Sequence, residues 1–242
     1  MENIESILLN GVHTVQVENS EEGVGVAANI LYSFCNNKTA LFLSGGKTPK
    51  SLYQHLANEG KLKAGAVGMI DERFGVPMHD ASNEKMIRET NFLRYLAMRD
   101  ISFYPILGLH PPGGKQVAEN YDQVFRMLIY QLLKSIGILG VGVDGHTAVL
   151  PAGVQNSKVK IQKDGRMVIE INNFPGECKK RITLTFNALA LMDLLLVLVF
   201  GKEKKQAFEK MFQKGPIEDI PARFFTQPDI AKKTILITDQ RL

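Results

Sequence analysis

A glycine-containing turn with two hydroxyl side chains follows one of the apolar stretches of the sequence. Residues 44–49 read Ser-Gly-Gly-Lys-Thr-Pro, directly after the apolar run at 39–43. Glycines let the backbone approach a ligand closely, and a helix that begins after such a turn points its free N–H groups and positive dipole end at that ligand. The segment predicts an anion cradle, with phosphate as the favoured anion, and a plain glycine turn is the alternative. The candidate phosphate ligands are Ser44, Gly45, Gly46, Lys47 and Thr48.

This turn is not a Walker-type nucleotide loop. That pattern requires a glycine five residues before Gly46, and the chain has Leu41 at the position. The anion that we expect here is therefore a small phosphate group and not a nucleoside triphosphate.

Three charged residues follow the apolar run at 66–70. They are Asp71, Glu72 and Arg73. Charges at the end of a buried strand are costly unless they pair with one another or face a ligand. Arg73 could hold a carboxylate, a phosphate or a developing oxyanion, and Asp71 could orient a base or a sugar hydroxyl. An internal salt bridge that fixes the loop is an equal alternative.

The segment at 140–147 reads Gly-Val-Gly-Val-Asp-Gly-His-Thr and follows a third apolar run. It matches the spacing GxGxxG, but we reject a dinucleotide site because Asp144 would place negative charge where a pyrophosphate should rest. A histidine on a loop can act as general acid or base near neutral pH when a carboxylate orients it. The segment therefore predicts that His146 is a general base beside Asp144. The other histidines are expected to be structural: His13, His55, His79 and His110.

Two further basic residues lie near the ends of later segments. Arg181 begins the stretch 181–185, and Lys204 follows the apolar run at 194–200. A guanidinium and an ammonium group that converge on the turn at 44–48 would neutralise a phosphate dianion. Taken singly, each is more readily interpreted as an ordinary surface charge.

Apolar runs alternate with amphipathic segments along the chain, which predicts strands alternating with helices. Helices are expected at 21–35, at 49–57, along 117–132 and from an N-cap at Ser82 to about residue 97. Strands are predicted at 12–17, 39–43, 66–70, 101–104, 136–141, 194–200 and 234–238.

Such alternation favours an α/β fold: one doubly wound, Rossmann-like domain over 1–242, with a mostly parallel sheet and helices on both faces. Residues 158–171 alternate around an Asp-Gly pair and predict a small antiparallel hairpin insertion. In parallel sheets ligands bind at the carboxyl ends of the strands, which is where the polar segments lie.

Composition narrows the function classes. Of 242 residues, 45% are hydrophobic and 22% charged, which is typical of a globular protein and excludes collagen-like, coiled-coil and disordered chains. Two cysteines exclude a disulfide framework, and we expect no metal site. The net charge of +4 is scattered in short clusters, so we expect no nucleic-acid partner. The start lacks a signal peptide and the apolar stretch at 189–200 is too short to span a bilayer, which favours a cytoplasmic protein without a membrane partner.

The motifs occur in the order and approximate spacing of the 6-phosphogluconolactonase family, which the chain resembles over about residues 10–239. The related glucosamine-6-phosphate deaminases share the fold and the phosphate site. They are expected to have Tyr in place of Arg73 and a catalytic glutamate shortly after Asp-Gly-His, where this chain reads Thr-Ala-Val-Leu-Pro. Two departures from the lactonase pattern are the pair Phe74 and Gly75 before Val-Pro, and Leu-Pro-Ala-Gly at 150–153.

The resemblance implies hydrolysis of 6-phospho-D-glucono-1,5-lactone to 6-phosphogluconate in the oxidative pentose phosphate pathway. It implies that His146 takes a proton from the attacking water, that Asp144 holds His146 or a sugar hydroxyl, and that Arg73 stabilises an oxyanion or the phosphate. Arg181 and Lys204 would join the turn at 44–48 in holding the phosphate. The other substrate-site residues would be Asp71, Glu72, Asn83, Gly145 and Thr147.

Neither a metal nor an organic cofactor is required for that reaction, and we expect a monomer whose partner is the sugar-phosphate lactone. Two other functions stay open: a glucosamine-6-phosphate deaminase/isomerase, and a non-catalytic sugar-phosphate-binding protein.

Overall fold

The computed structural model describes residues 6–148 and 165–241. Eight of the strands form a main sheet in the order β1-β2-β11-β10-β7-β3-β4-β6, in which only the β1–β2 pair is antiparallel. The strands are β1 (Ser6–Leu9), β2 (Val12–Gln16), β3 (Thr39–Leu43), β4 (Ala66–Met69), β5 (Asp71–Arg73), β6 (Ser102–Phe103), β7 (Lys134–Gly140), β8 (Val168–Ile171), β9 (Arg181–Leu184), β10 (Leu194–Val199) and β11 (Thr234–Thr238).

The polarity of the sequence explains this sheet. Every residue of β3, β4 and β10 is buried, so both faces of the sheet are covered, as continuous apolar runs predict. All seven strands predicted from those runs are confirmed, with ends that differ by one or two residues. β1 was not predicted, and neither were the short strands β5 and β9, whereas β8 lies within the predicted hairpin at 158–171.

Helices connect the strands. They are α1 (Ser20–Phe34), α2 (Lys47–Glu59), α3 (Asn83–Glu89), α4 (Phe92–Met98), α5 (Gly114–Gln131), α6 (Phe186–Leu191), α7 (Lys205–Phe212) and α8 (Pro228–Ala231). Within residues 6–148 and 165–241, no helix has the length and apolar character that crossing a bilayer requires.

The predicted helix from Ser82 to about residue 97 is correct at its start and wrong in its length. The Ser82 hydroxyl caps α3 by accepting from the backbone N–H of Lys85 at 3.1 Å. The helix is then interrupted at Asn91, which has a left-handed backbone with φ of 61°, and α4 begins at the next residue. Asparagine tolerates this conformation better than most residues, so the helix splits in two there.

The strand order reverses direction between β3 and β7, which are hydrogen-bonded neighbours. From β3 the chain continues outward to β4 and β6, whereas from β7 it continues the other way to β10 and β11. A reversal of this kind opens a crevice at the carboxyl ends of the two strands, where α/β proteins bind their ligands.

A second, three-stranded antiparallel sheet, β5-β9-β8, is built onto the end of β4. Ile70 joins the two sheets: its N–H donates to Leu43 O at 2.8 Å, and its carbonyl accepts from Leu184 N at 2.8 Å. In the described part of the predicted hairpin at 158–171, β8 is an antiparallel strand, but its partner is β9, which lies outside that segment. Residues 158–164 lie outside the described residues.

Candidate active site

A cleft of about 180 Å³ lies at the crevice between β3 and β7. Its walls come from the turn after β3, from the short sheet, from the loop after β7 and from the turn after β10. The lining residues are Ser44, Gly45, Gly46, Lys47, Thr48, Pro49, Asp71, Arg73, Gly140, Val141, Gly142, His146, Ala148, Arg181 and Lys204. Of the residues expected at the site, five do not line this cleft: Glu72, Asn83, Asp144, Gly145 and Thr147.

The turn after β3 presents the start of α2 to the cleft. Gly46 is the N-cap, with φ of 108°, and no side chain caps the 13-residue helix. The first backbone N–H groups of α2 therefore lack a partner from a capping side chain, and such groups bind anions well. This is the geometry that the glycine turn predicts.

Ser44 is fixed by its backbone and unsatisfied at its hydroxyl. The carbonyl of Ser44 accepts a 2.8 Å hydrogen bond from the buried Tyr53 hydroxyl of α2. Its own Oγ is buried and has no hydrogen-bond partner among the described residues. Buried polar atoms are nearly always hydrogen-bonded, so this hydroxyl is suited to a polar group in the cleft.

Two arginines face each other on the short sheet. The antiparallel register sets Arg73 of β5 directly opposite Arg181 of β9, and both line the cleft. Burial and the nearby Arg73 charge lower the pKa of Arg181. The Arg73 Nη1 donates to Ala81 O at 2.6 Å, while its buried Nε has no partner in the described part of the chain. Like charges opposite each other are unfavourable, so the pair favours an anion between them.

Asp71 lies on the same strand as Arg73 and partly balances the positive charge of the two arginines. Burial raises the pKa of its carboxyl, while Arg73 and Arg181 act in the opposite direction. The Asn83 amide donates to Asp71 Oδ2 at 2.8 Å, and the Gly45 backbone also bonds to this carboxyl. A Cβ atom at residue 45 would overlap Asn83 Oδ1, so only glycine fits there.

Glu72 points away from the cleft. It is fully buried, and its carboxylate accepts from the backbone N–H groups of Asn83 at 2.7 Å and Glu84 at 2.8 Å and from the Ser82 hydroxyl at 2.9 Å. It also accepts from its neighbour's N–H, that of Arg73, at 2.7 Å. These bonds tie the start of α3 to β5, and the position gives Glu72 no direct route to a ligand in the cleft.

The loop after β7 brings a histidine and an aspartate together. The Nδ1 atom of His146 lies 2.5 Å from Asp144 Oδ1, and the same oxygen accepts from the His146 backbone N–H at 3.1 Å. The hydrogen bond from His146 lowers the pKa of Asp144 to about 2, so this side chain is a carboxylate at neutral pH. With Nδ1 bonded to Asp144, Nε2 is the ring nitrogen available to a water molecule or a substrate.

A tight turn brings the His146 ring into place. Gly142 N donates to His146 O at 2.8 Å and Gly145 N donates to Gly142 O at 3.0 Å. A Cβ atom at residue 142 would overlap the Cε1 and Nδ1 atoms of the ring. Gly142 is thus required for the close approach of His146, a role that the sequence analysis did not assign to it.

Gly145 and Thr147 shape this loop from behind. Gly145 has φ of 87°, and its carbonyl accepts from Ala222 N at 3.0 Å. The buried Thr147 hydroxyl donates to Gly140 O at 3.0 Å. Both residues position the loop and do not line the cleft.

Lys204 completes the cationic wall. It ends the short 3₁₀ turn Lys202–Lys204 after β10, and its Nζ donates to the carbonyl of Val141. Burial lowers the pKa of Lys204, while Glu203 and Asp144 act to raise it. The lysine thus links the loop that carries His146 to the cationic side of the cleft.

Phe174 contacts two of the site residues and was missed by the sequence analysis. Its ring centroid lies 3.6 Å from Arg181 Cζ and 5.9 Å from the centroid of the His146 ring. It occupies an irregular loop between β8 and β9, and no local pattern marks it as special. The expected structural role of His79 fits its contacts: the ring lies 3.0 Å from Arg73 O and accepts from Ala81 N.

The arrangement can bind a compact anion and activate a water molecule beside it. Within the described residues, no group of three or more His, Cys, Asp or Glu side chains is placed to hold a metal ion. A larger groove of about 710 Å³ lies at the amino ends of the strands, among residues such as His13, Lys134 and Ile235. It lies far from the arginine pair and the Asp144–His146 pair, so the smaller cleft is the better candidate for chemistry.

Comparisons with known proteins identify a family and proteins of similar structure. The family described as "Glucosamine-6-phosphate isomerases/6-phosphogluconolactonase" matches residues 26–235. A 6-phosphogluconolactonase of Xylella fastidiosa is 28% identical over 193 residues, 77% of each chain. A glucosamine-6-phosphate deaminase of Streptococcus equi subsp. zooepidemicus is 28% identical over 239 residues, 93% of this chain and 96% of its own. The crystal structure of a 6-phosphogluconolactonase from Shewanella baltica superposes with a TM-score of 0.75 at 19% identity, covering 96% of this chain and 99% of that chain.

Proposed function

The chain belongs to the glucosamine-6-phosphate isomerase and 6-phosphogluconolactonase family, and from this membership we propose that it hydrolyses 6-phospho-D-glucono-1,5-lactone to 6-phosphogluconate. The observation that carries the proposal is that His146, hydrogen-bonded to Asp144, lines the same cleft as the two facing arginines. A base beside an anion site is what hydrolysis of a phosphorylated lactone needs. The names of several relatives point to the same reaction.

The phosphate is held at the cationic side of the cleft. The free N–H groups at the start of α2, the Ser44 hydroxyl and the side chains of Arg181 and Lys204 surround a space suited to a dianion. Binding at the phosphate fixes the sugar ring, so binding energy remote from the reacting bond is converted into orientation.

His146 is the general base for the attack of water on the lactone carbonyl. Water attacks C1 while the Nε2 atom of His146 takes one of its protons, and a tetrahedral intermediate forms. When this intermediate collapses, the bond from C1 to the ring oxygen breaks and the proton passes from His146 to that oxygen. Asp144 holds the ring through Nδ1 and stabilises the imidazolium that forms between the two steps.

Arg73 stabilises the negative charge that develops on the carbonyl oxygen. Its Nη1 is anchored by Ala81 O, and its Nε is unsatisfied in the described structure. A guanidinium fixed in this way before the reaction stabilises an oxyanion with little reorganisation. The carboxyl of Asp71, on the same strand as Arg73, offsets part of the positive charge of the two arginines.

These steps need neither a metal nor an organic cofactor, because a lactone is an activated ester and no electrons are transferred. The monomeric state and the cytoplasmic location stay predictions.

A glucosamine-6-phosphate deaminase is the second candidate, since the streptococcal deaminase aligns with 93% of the chain. The sequence argues against it: between His146 and Asp164 there is no aspartate or glutamate to serve as the expected acid. A protein that only binds a sugar phosphate is a third candidate, against which the intact Asp144–His146 pair speaks.

Two assays on the purified protein separate these candidates. One follows lactone hydrolysis above the spontaneous rate, and the other follows ammonia release from glucosamine 6-phosphate. We expect catalysed lactone hydrolysis and no ammonia release. Faster ammonia release would establish the deaminase, and phosphate-competitive binding without turnover of either substrate would establish the binding protein.

A further inference from the structure

The loop between β8 and β9 fixes an aromatic ring against the cleft residues. Phe174 is only 7% exposed, although the residues on both sides of it are exposed. Its backbone N–H donates to Lys179 O at 2.9 Å, which closes the loop on itself. This closed loop places the Phe174 ring in a buried position next to the cleft residues.

One face of this ring packs against Arg181, a residue proposed to bind the phosphate. The Arg181 guanidinium carbon lies 3.6 Å from the Phe174 centroid, and Arg181 Nε donates to Cys178 O at 3.1 Å in the same loop. An arginine has many rotamers, and a cation stacked on an aromatic face loses most of that freedom. The stack counteracts the repulsion from Arg73, which would otherwise displace the Arg181 side chain.

The same ring contacts the base. The His146 and Phe174 rings meet nearly perpendicularly, with an interplanar angle of 87° and centroids 5.9 Å apart. This edge contact lies within the range of favourable aromatic pairs. Asp144 fixes Nδ1 of His146 and Phe174 contacts the ring, so together they restrain its orientation.

We propose that Phe174 is a positioning residue that holds the Arg181 guanidinium and the His146 ring at a fixed separation, and so matches the anion site to the base. The part concerning His146 rests on the proposed lactonase function, whereas the part concerning Arg181 requires only that the cleft binds an anion. A substrate whose phosphate and carbonyl have the matching separation is held at both ends at once.

The test compares three variants of the full chain. Phe174→Leu removes the ring face, Phe174→Tyr retains it, and Phe125→Leu is the matched control. Phe125 is a buried residue of α5 whose ring centroid lies 5.2 Å from that of Phe42, and it does not line the cleft. Thermal unfolding is measured for each variant, so that a loss of stability is separated from a loss of positioning.

Inorganic phosphate is the probe for the anion site, and lactone kinetics is the probe for the base. Phe174→Leu should weaken phosphate binding about fivefold, the effect expected for loss of a partly buried cation–π contact. It should also lower kcat by about threefold to tenfold because the base is less well placed. Phe174→Tyr should retain the wild-type phosphate affinity and kcat. Phe125→Leu should change neither phosphate affinity nor kcat beyond its effect on stability.

A double variant tests whether Phe174 affects phosphate binding through Arg181. Once Arg181 is replaced by alanine, Phe174→Leu should have no further effect on phosphate binding, since the two changes remove one contact. Additive losses, or unchanged binding and kcat in Phe174→Leu, would overturn the proposal. If the wild-type protein binds phosphate but lacks lactonase activity, the proposed function fails while the Phe174–Arg181 part is still decided by the binding data.

Discussion

Arg73 and Arg181 occupy directly opposed positions on neighbouring antiparallel strands, with Asp71 two residues from Arg73 on the same strand. Sheets rarely place two cations face to face without an anion near them, since like charges across a strand pair destabilise it. The Asp71 carboxyl balances part of this charge, and a phosphate or an oxyanion in the cleft would balance the rest. The electrostatics of the site thus favour an anionic substrate.

Replacing Arg181 should chiefly weaken substrate binding. Arg181→Ala should raise KM for the lactone by about tenfold to a hundredfold, the range for loss of a charge-assisted hydrogen bond. The effect on kcat should be smaller, and Arg181→Lys should give an intermediate KM because charge is kept and the planar fork is lost. Arg241→Ala is the control, since Arg241 pairs at the surface with Glu18 at 3.0 Å. A fall in kcat with unchanged KM would contradict the phosphate role.

The buried Glu72 should govern stability and not chemistry. In Glu72→Gln one acceptor oxygen becomes an NH₂ group that faces backbone donors, so the free energy of unfolding should fall by about 1–3 kcal/mol. Denaturant unfolding measures this loss. Glu89→Gln, at an exposed glutamate near the end of the same helix α3, should change it little. A large fall in kcat without loss of stability would instead place Glu72 in the reaction.

Enlarging Gly142 should displace the base. The added Cβ of Gly142→Ala overlaps the His146 ring, so kcat should fall about tenfold or more while the fold is kept. Gly25→Ala is the matched control: a Cβ there meets no atom within 4 Å, and alanine is favoured inside α1. Equal activity of the two variants would show that the His146 position is not critical.

The Asp144–His146 contact should contribute to stability in a pH-dependent way. Because the folded-state pKa of Asp144 is about 2 and its ordinary value is 3.8, the ionised form favours folding above pH 3.8. This contribution is lost as the pH falls from about 4 through 2. The difference in unfolding free energy between wild type and Asp144→Asn should therefore shrink in that window. A difference that stays constant down to pH 2 would contradict the lowered pKa.

The sequence predicted the elements whose signal is local. Continuous apolar runs indicated the parallel strands, and Ser82 indicated the start of α3, because the capping hydroxyl and the backbone N–H that donates to it lie three residues apart. The break at Asn91 depends on a left-handed backbone conformation, which a periodic pattern does not reveal. The pairing of β5 with β9 joins segments far apart in the chain, so no local pattern could indicate it.

The candidate site shows the same division. Asp144, His146 and the glycine turn are close in sequence to the residues they act with, and they were predicted. That Arg73 faces Arg181 and that Phe174 lies between Arg181 and His146 depends on tertiary packing. Asp71 and Glu72 are neighbours with alternating directions on a short strand, so one lines the cleft and the other anchors α3.

The kinetic comparison of His146→Ala with wild type tests the central claim most directly. His110→Ala serves as the control, because His110 is an exposed histidine in a loop that does not line the cleft. The account predicts that catalysed hydrolysis of 6-phospho-D-glucono-1,5-lactone falls by about 10²–10⁴ in kcat with a modest change in KM. Near-wild-type turnover of the lactone by the folded His146→Ala protein would contradict it.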